Sequence, residues 1–146
     1  MARSRSKLPL DGRYLGGEKS PPYEWPIHAC IMRARPEVMS VCHTHSKWSS
    51  LFGTVERGEA LAKVLKESAA VLLRGHGDAV VGASLEEAIL RTIRLAFVGE
   101  LAHMAVAHGE PLYLTEEELA TFSADQAFPA RPWEYHLSRA RDRRSP

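Results

Sequence analysis

Apolar and polar positions alternate along this chain with two different periods, and the switches between them mark the elements. From Glu24 to Ala34 the spacing is helical: Ile27, Cys30, Ile31 and Met32 share one stripe, and Pro26 suits a first turn. Arg35-Pro36 ends the helix, because the residue before proline avoids the α region. Val38 to His43 is a short, mostly apolar run and reads as a buried strand. Ser46 to Thr54 predicts a turn and a short helix. Glu56 to Ser68 is amphipathic, with Leu61, Val64 and Leu65 on one side. Two further runs, Ala69 to Leu73 and Asp78 to Gly82, flank the turn Arg74-Gly75-His76-Gly77 and read as strands. Ser84 and Glu87 form a capping box before a long helix from Leu85 to His108, closed by Gly109. Thr115 with Glu118 repeats the box and opens a helix to Ser123, and Trp133 to Arg141 predicts a last helix. Residues 1 to 23 read as irregular, and 1–10 and 140–146 as flexible ends. Helices alternating with short strands predict a single α/β domain over 1–146.

Composition narrows the function classes. The chain has 146 residues, enough for one core, with 45% apolar and 25% charged residues. A net charge of +1 gives no basic field for nucleic acid, and the basic ends read as solvated. No apolar run reaches the length of a membrane span, and the basic first residues lack an apolar h-region. The two cysteines, Cys30 and Cys42, have no metal or disulfide spacing. The expectation is a cytoplasmic protein with no nucleic-acid or membrane partner.

The seven histidines carry the chemistry. In His43-Thr44-His45, at the end of a strand, positions i and i+2 project to the same side, so two imidazoles can grip one ion. His76 follows another strand, between glycines that let the backbone turn closely. Three neutral imidazoles leave a coordination position open, as a catalytic site needs. From spacing alone, the same histidines read equally well as surface or core imidazoles. A cupin-like reading fails because Lys47, Trp48 and Ser49 stand where a glutamate is needed. His103 and His108, five apart on a helix, do not face one ion, and His136 lies outside any ligand spacing.

Three blocks of sequence resemble one family. Glu24-Trp25-Pro26-Ile27-His28, Arg35-Pro36-Glu37-Val38 and Val41-Cys42-His43-Thr44-His45 come first. Val71-Leu72-Leu73-Arg74-Gly75-His76-Gly77 follows, with Val80-Val81-Gly82 and Ser84-Leu85-Glu86-Glu87-Ala88. Asp11-Gly12 and Arg131-Pro132-Trp133-Glu134-Tyr135 complete the pattern. Together they resemble the class II aldolase/adducin family over most of residues 11 to 137. The resemblance implies a three-layer α/β/α sandwich around a mostly antiparallel sheet. It implies a divalent metal, zinc first, with manganese, iron or cobalt as alternatives, on His43, His45 and His76. Glu24 would be the acid/base and could approach the metal; from its position alone it reads as a helix-start carboxylate. His28, one turn from Glu24, would share its hydrogen-bond network. Lys47 and Arg74 are candidates for a substrate carboxylate. Tyr135 is a candidate contact to a neighbouring subunit, since the family assembles as homo-oligomers, usually tetramers.

The chain departs from the family pattern in two ways. The leading helix, first strands and phosphate-binding loops have no counterpart before Asp11, a truncation on the N-terminal side. The stretch from Ser46 to Gly75 is also short. Both argue against a phosphosugar, and the LLRGHG and RPWEY variants look closest to the decarboxylase-like branch. The expected function is therefore a metal-dependent lyase. It would decarboxylate a non-phosphorylated hydroxy acid or hydroxylated aromatic acid through a metal-stabilised enolate or phenolate. An aldolase or epimerase of a small sugar or sugar phosphate is the alternative. A non-catalytic, adducin-like assembly module comes last, because all three histidines and Glu24 are present.

Overall fold

The computed structural model describes residues 10–11, 15–17, 20–53, 59–123 and 130–143. Its elements in chain order are α1 (Trp25–Ala34), β1 (Ser40–Thr44), α2 (Lys47–Phe52), α3 (Glu59–Leu65), β2 (Ala70–Leu73), β3 (Gly77–Gly82), α4 (Leu85–His108), α5 (Glu116–Ser123) and α6 (Ala130–Asp142). They fall into two compact units, residues 1–99 and 100–146.

The first unit is built on a three-stranded antiparallel sheet in the order β1-β3-β2. This is the α/β class with the antiparallel sheet expected from the sequence. Val41 pairs with Val81 and Thr44 with Asp78; across the hairpin, Val71 pairs with Ala79 and Leu73 with Gly77. Because strand side chains alternate, Val41, Val71, Leu73, Ala79 and Val81 share one face. Ile27 and Ile31 of α1 and Leu61 and Leu65 of α3 pack there as one core with Val38. Each fully buried Leu or Ile contributes about 1.5–3 kcal/mol. On the opposite face stand Cys42, Thr44, Asp78 and Val80, and Thr92 of α4 hydrogen-bonds the Cys42 thiol.

Local differences from the sequence expectation have physical causes. The first strand begins at Ser40 rather than Val38, because the Val38 N–H donates to the Arg35 carbonyl in a turn. It runs on to Thr44 because Asp78 is there to pair with it. The amphipathic segment 56–68 is helical over Glu59–Leu65; its start lies outside the described residues, and Lys66 stops it at a φ of 43°. Val64, expected on the buried side, is exposed, whereas Leu61 and Leu65 are buried. The last helix begins at Ala130, ahead of Trp133. The long helix keeps its predicted bounds. Ser84 Oγ accepts from the Glu87 N–H at 3.1 Å, and Glu87 Oε2 accepts from the Ala83 N–H at 2.6 Å. Arg91 adds a bond to the Val81 carbonyl, tying α4 to the end of β3.

The second unit holds the end of α4, α5 and α6. The Thr115–Glu118 box is reciprocal, at 2.8 and 3.2 Å. Among the described residues, no helix is long and apolar enough to cross a membrane.

Candidate metal centre

The strand register brings the histidines together. β1 and β3 run antiparallel, so the end of β1, with His43 and then His45, lies beside the start of β3, just after His76. The β2–β3 turn makes this approach through two glycines. The His76 N–H donates to the Leu73 carbonyl, and Gly75 takes the left-handed conformation, φ 58°. A Cβ on Gly77 would collide with the Thr44 carbonyl, so only glycine lets the two chain ends meet this closely. Immediately after His45, Ser46 caps α2 by accepting from the Ser49 N–H at 3.1 Å. From that helix, Ser50 Oγ donates to the His76 carbonyl at 2.8 Å.

Three Nε2 atoms converge at this sheet end: His43 is 3.0 Å from His45 and 3.2 Å from His76. Glu24, the residue before α1, makes no side-chain cap to its own helix. Its carboxylate turns instead to the three rings, with Oε1 2.8 Å from His76 Nε2 and 3.3 Å from His45 Nε2, and Oε2 3.4 Å from His43 Nε2. The four ligand atoms all lie within 4.8 Å of one another. His43 and His76 are nearly enclosed, while the His45 side chain is 51% exposed, so the cluster opens to solvent on the His45 side.

The donor set fits a cation. His43 Nδ1 lies 2.7 Å from the Asp78 carbonyl oxygen, which only accepts, so that nitrogen carries the proton and Nε2 presents its lone pair to the centre. Three imidazole nitrogens and a carboxylate converge on one space, and only positive charge among them, a proton on a ring or a bound cation, balances it. Three N donors, one O donor and an open side suit a divalent ion. Burial pushes the Glu24 carboxyl up, but His43, by charge and hydrogen bond, and His45 and His76, by charge, outweigh it and hold the carboxyl below its usual value. Glu24 is therefore ionised at neutral pH.

The remaining sequence candidates lie at different distances from this centre. His28 packs on β1 and hydrogen-bonds the Val41 backbone; burial and the neighbouring His43 push its imidazole down, against the pull of Glu24 and that bond. Lys47 is exposed, with its ammonium 4.3 Å above the Trp48 ring. Arg74 is exposed on the same turn as His76. Tyr135 belongs to the second unit, 59% exposed, with its ring edge-on to His136. Asp78, Thr44 and Ser50, which no motif or spacing marks for such a role, also hold the centre in place. A lone acidic residue opening an apolar strand run was the one signal for Asp78; a serine in a short helix gave none.

Comparison with known proteins identifies the family and the fold. The class II aldolase and adducin N-terminal domain matches residues 2–55 and 49–103. A 3,4-dihydroxyphthalate decarboxylase from a Terrabacter species is 31% identical over 137 aligned residues, covering 69% of this chain and 57% of that protein. A 5-deoxy-D-ribulose 1-phosphate aldolase from Bacillus thuringiensis is 23% identical, covering 77% and 66%. In three dimensions, the L-fuculose 1-phosphate aldolase from Glaciozyma antarctica superposes with a TM-score of 0.67 at 23% identity, over 78% of this chain and 57% of that one. The chain thus spans between half and two thirds of the length of these relatives. With the domain matched across most of its first unit, the chain belongs to the class II aldolase and adducin family.

Proposed function

We propose that the chain carries the active centre of a divalent-metal-dependent carbon–carbon lyase, one that decarboxylates a non-phosphorylated hydroxy acid or hydroxylated aromatic acid. The convergence of His43, His45, His76 and Glu24 carries this reading. Likeness to a dihydroxyphthalate decarboxylase supports the choice of reaction. A divalent ion held by the three histidines, zinc first, supplies Lewis acidity toward substrate oxygens on which negative charge builds.

The protein's own groups handle the proton. Glu24, ionised beside the imidazoles, takes the proton of a substrate hydroxyl. Glu24 returns that proton to the carboxylate-bearing carbon, turning the oxyanion into a carbonyl; as carbon dioxide leaves, the C–C bonding pair flows to that oxygen as the enolate or phenolate, and water reprotonates it. His43, fixed by its bond to the Asp78 carbonyl, keeps its Nε2 lone pair on the centre throughout. Arg74 and Lys47, two residues from His76 and His45, are the proposed contacts for the substrate carboxylate. Tyr135 is assigned to the site of a neighbouring copy in a homo-oligomer, a tetramer. Exposed Phe97, Val98, Leu101, Met104 and Val106 along α4 support such an assembly.

A second reading, retro-aldol cleavage or epimerisation of a small sugar phosphate, draws on the likeness to the deoxyribulose phosphate aldolase. One experiment separates them. Purified protein is analysed for metal, then assayed with added zinc, manganese or iron for carbon dioxide release from hydroxylated aromatic and aliphatic acids. The parallel assay follows carbonyl release from ketose 1-phosphates. Carbon dioxide release alone supports the decarboxylase, and carbonyl release alone replaces it with the aldolase. Less than a tenth of an equivalent of metal, with no gain on addition, sinks both.

A further inference from the structure

The metal-ligand segment is held from behind by a pair of side chains with no place in the chemistry above. Asp78 is buried, at 1% exposure, on the position of β3 where pairing with β1 begins. Opposite it in register stands Thr44, the residue between the two histidines of the ligand segment. Thr44 Oγ1 donates to the Asp78 carboxylate and lies 2.9 Å from both of its oxygens. The main-chain oxygen of the same aspartate accepts the Nδ1 proton of His43 at 2.7 Å. One residue thus grips the segment twice, once on each face of the sheet.

This arrangement is costly without a reason. A buried carboxylate offers about four acceptor positions, and one hydroxyl serves both oxygens here. Burying such a group in a strand core costs several kcal/mol unless it is well paired. An apolar pair would pack this face at lower cost. What an apolar pair could not do is fix the rotation of Thr44, and with it the direction in which the flanking residues leave the strand. His45 lies just past the last paired residue of β1, so it has no ladder bond of its own to hold its backbone.

We infer that the Thr44–Asp78 pair is a positioning device for the metal centre, fixing His43 and His45 so that their Nε2 atoms meet that of His76. The inference rests on the metal reading proposed above. Residues that orient ligands without touching the ion are worth about 10–100-fold in metal affinity.

The test is a set of variants titrated with cobalt(II) and zinc against a chelator, with the d–d spectrum of bound cobalt and the melting temperature of metal-free protein recorded. Thr44→Val removes the hydroxyl at nearly constant volume, and Thr44→Ser keeps it. Asp78→Ala and the Thr44→Val/Asp78→Ala double variant complete a cycle. Positioning predicts that Thr44→Val weakens cobalt binding about 10-fold or more and alters the spectrum, that Thr44→Ser stays within about threefold of wild type, and that the double variant loses less than the two single losses combined. If Asp78→Ala does not fold, the Val and Ser variants of Thr44 still decide. A lower melting temperature with unchanged affinity and spectrum for Thr44→Val overturns the inference, leaving the pair a purely structural contact. A wild-type chain that binds neither metal removes the metal reading and this inference together, an outcome told apart by the wild-type titration alone.

Discussion

The two units of this chain use helices to different ends. In residues 1–99 each helix side chain of the core has a strand to meet: Ile27, Ile31, Leu61 and Leu65 close over Val71, Leu73, Ala79 and Val81. In residues 100–146 the helices are well begun, with a reciprocal capping box on α5, yet Leu101, Met104, Val106, Leu112, Tyr113, Leu114 and Leu119 stand exposed. Capping is a local property and needs no partner, whereas burial does. The difference teaches where precision comes from. Four ligand atoms within 4.8 Å of one another need a backbone pinned by a dry core, and they occur in the unit that has one.

Several measurements would break or sharpen this contrast. The largest effect belongs to the centre itself. Glu24→Gln keeps the shape but loses the base, and kcat/KM should fall about 10²–10⁴-fold; a fall under threefold would remove Glu24 from the chemistry. Next comes the core. Ile31→Ala should lower unfolding stability by about 2–5 kcal/mol, because the side chain is fully buried. In the same denaturant titrations Leu112→Ala, fully exposed in the chain alone, should change it by less than about 0.5 kcal/mol. Equal losses at the two positions would show that the second unit buries Leu112 after all, as an assembly would. Thr115→Ala should cost about 0.5–2 kcal/mol of local helix stability, read from amide exchange in α5, with no change at the sheet.

The last prediction is a pH effect. Burial and nearby His43 hold the His28 imidazole below 6.5 in the folded chain. The unfolded chain therefore takes up that proton first as pH falls, and the folded state loses stability from about pH 6.5 downward. His28→Gln should flatten this acid limb of the stability profile relative to wild type. Identical limbs would show that His28 is not the group responsible.

Much of this organisation is legible in the residues themselves. The long helix from Leu85 to His108 was readable to the residue, since Ser84, Glu87 and Gly109 act within one turn of its ends. The i, i+2 histidine pair at a strand end and the glycine-flanked histidine are legible as a pattern, but that pattern reads equally well as surface or core imidazoles until the family resemblance is added. Strand ends were less legible, because they depend on what lies opposite: Thr44 is a strand residue on account of Asp78. From its position alone Glu24 reads as a helix-start carboxylate; the family resemblance sets it beside the histidines, and in the structure its carboxylate turns to them rather than capping α1. Lys47 stands two residues from His45 in sequence, and the structure adds that its ammonium lies over the Trp48 ring.

What the sequence determined by itself is therefore everything that acts over a few residues: helix starts and stops, the apolar stripes, the i, i+2 histidine pair and the left-handed turn at Gly75. Local sequence does not place the meeting of His76 with His43 and His45 or the aim of Glu24, which the family resemblance implies and the tertiary structure brings about; the grip of Asp78 on Thr44 comes from the tertiary structure alone. These contacts join residues from about twenty to more than fifty positions apart, and no local preference encodes a distance across that much chain. Antiparallel register supplies it, because once Val41 pairs with Val81 and Val71 with Ala79, every side chain at that end of the sheet has its place.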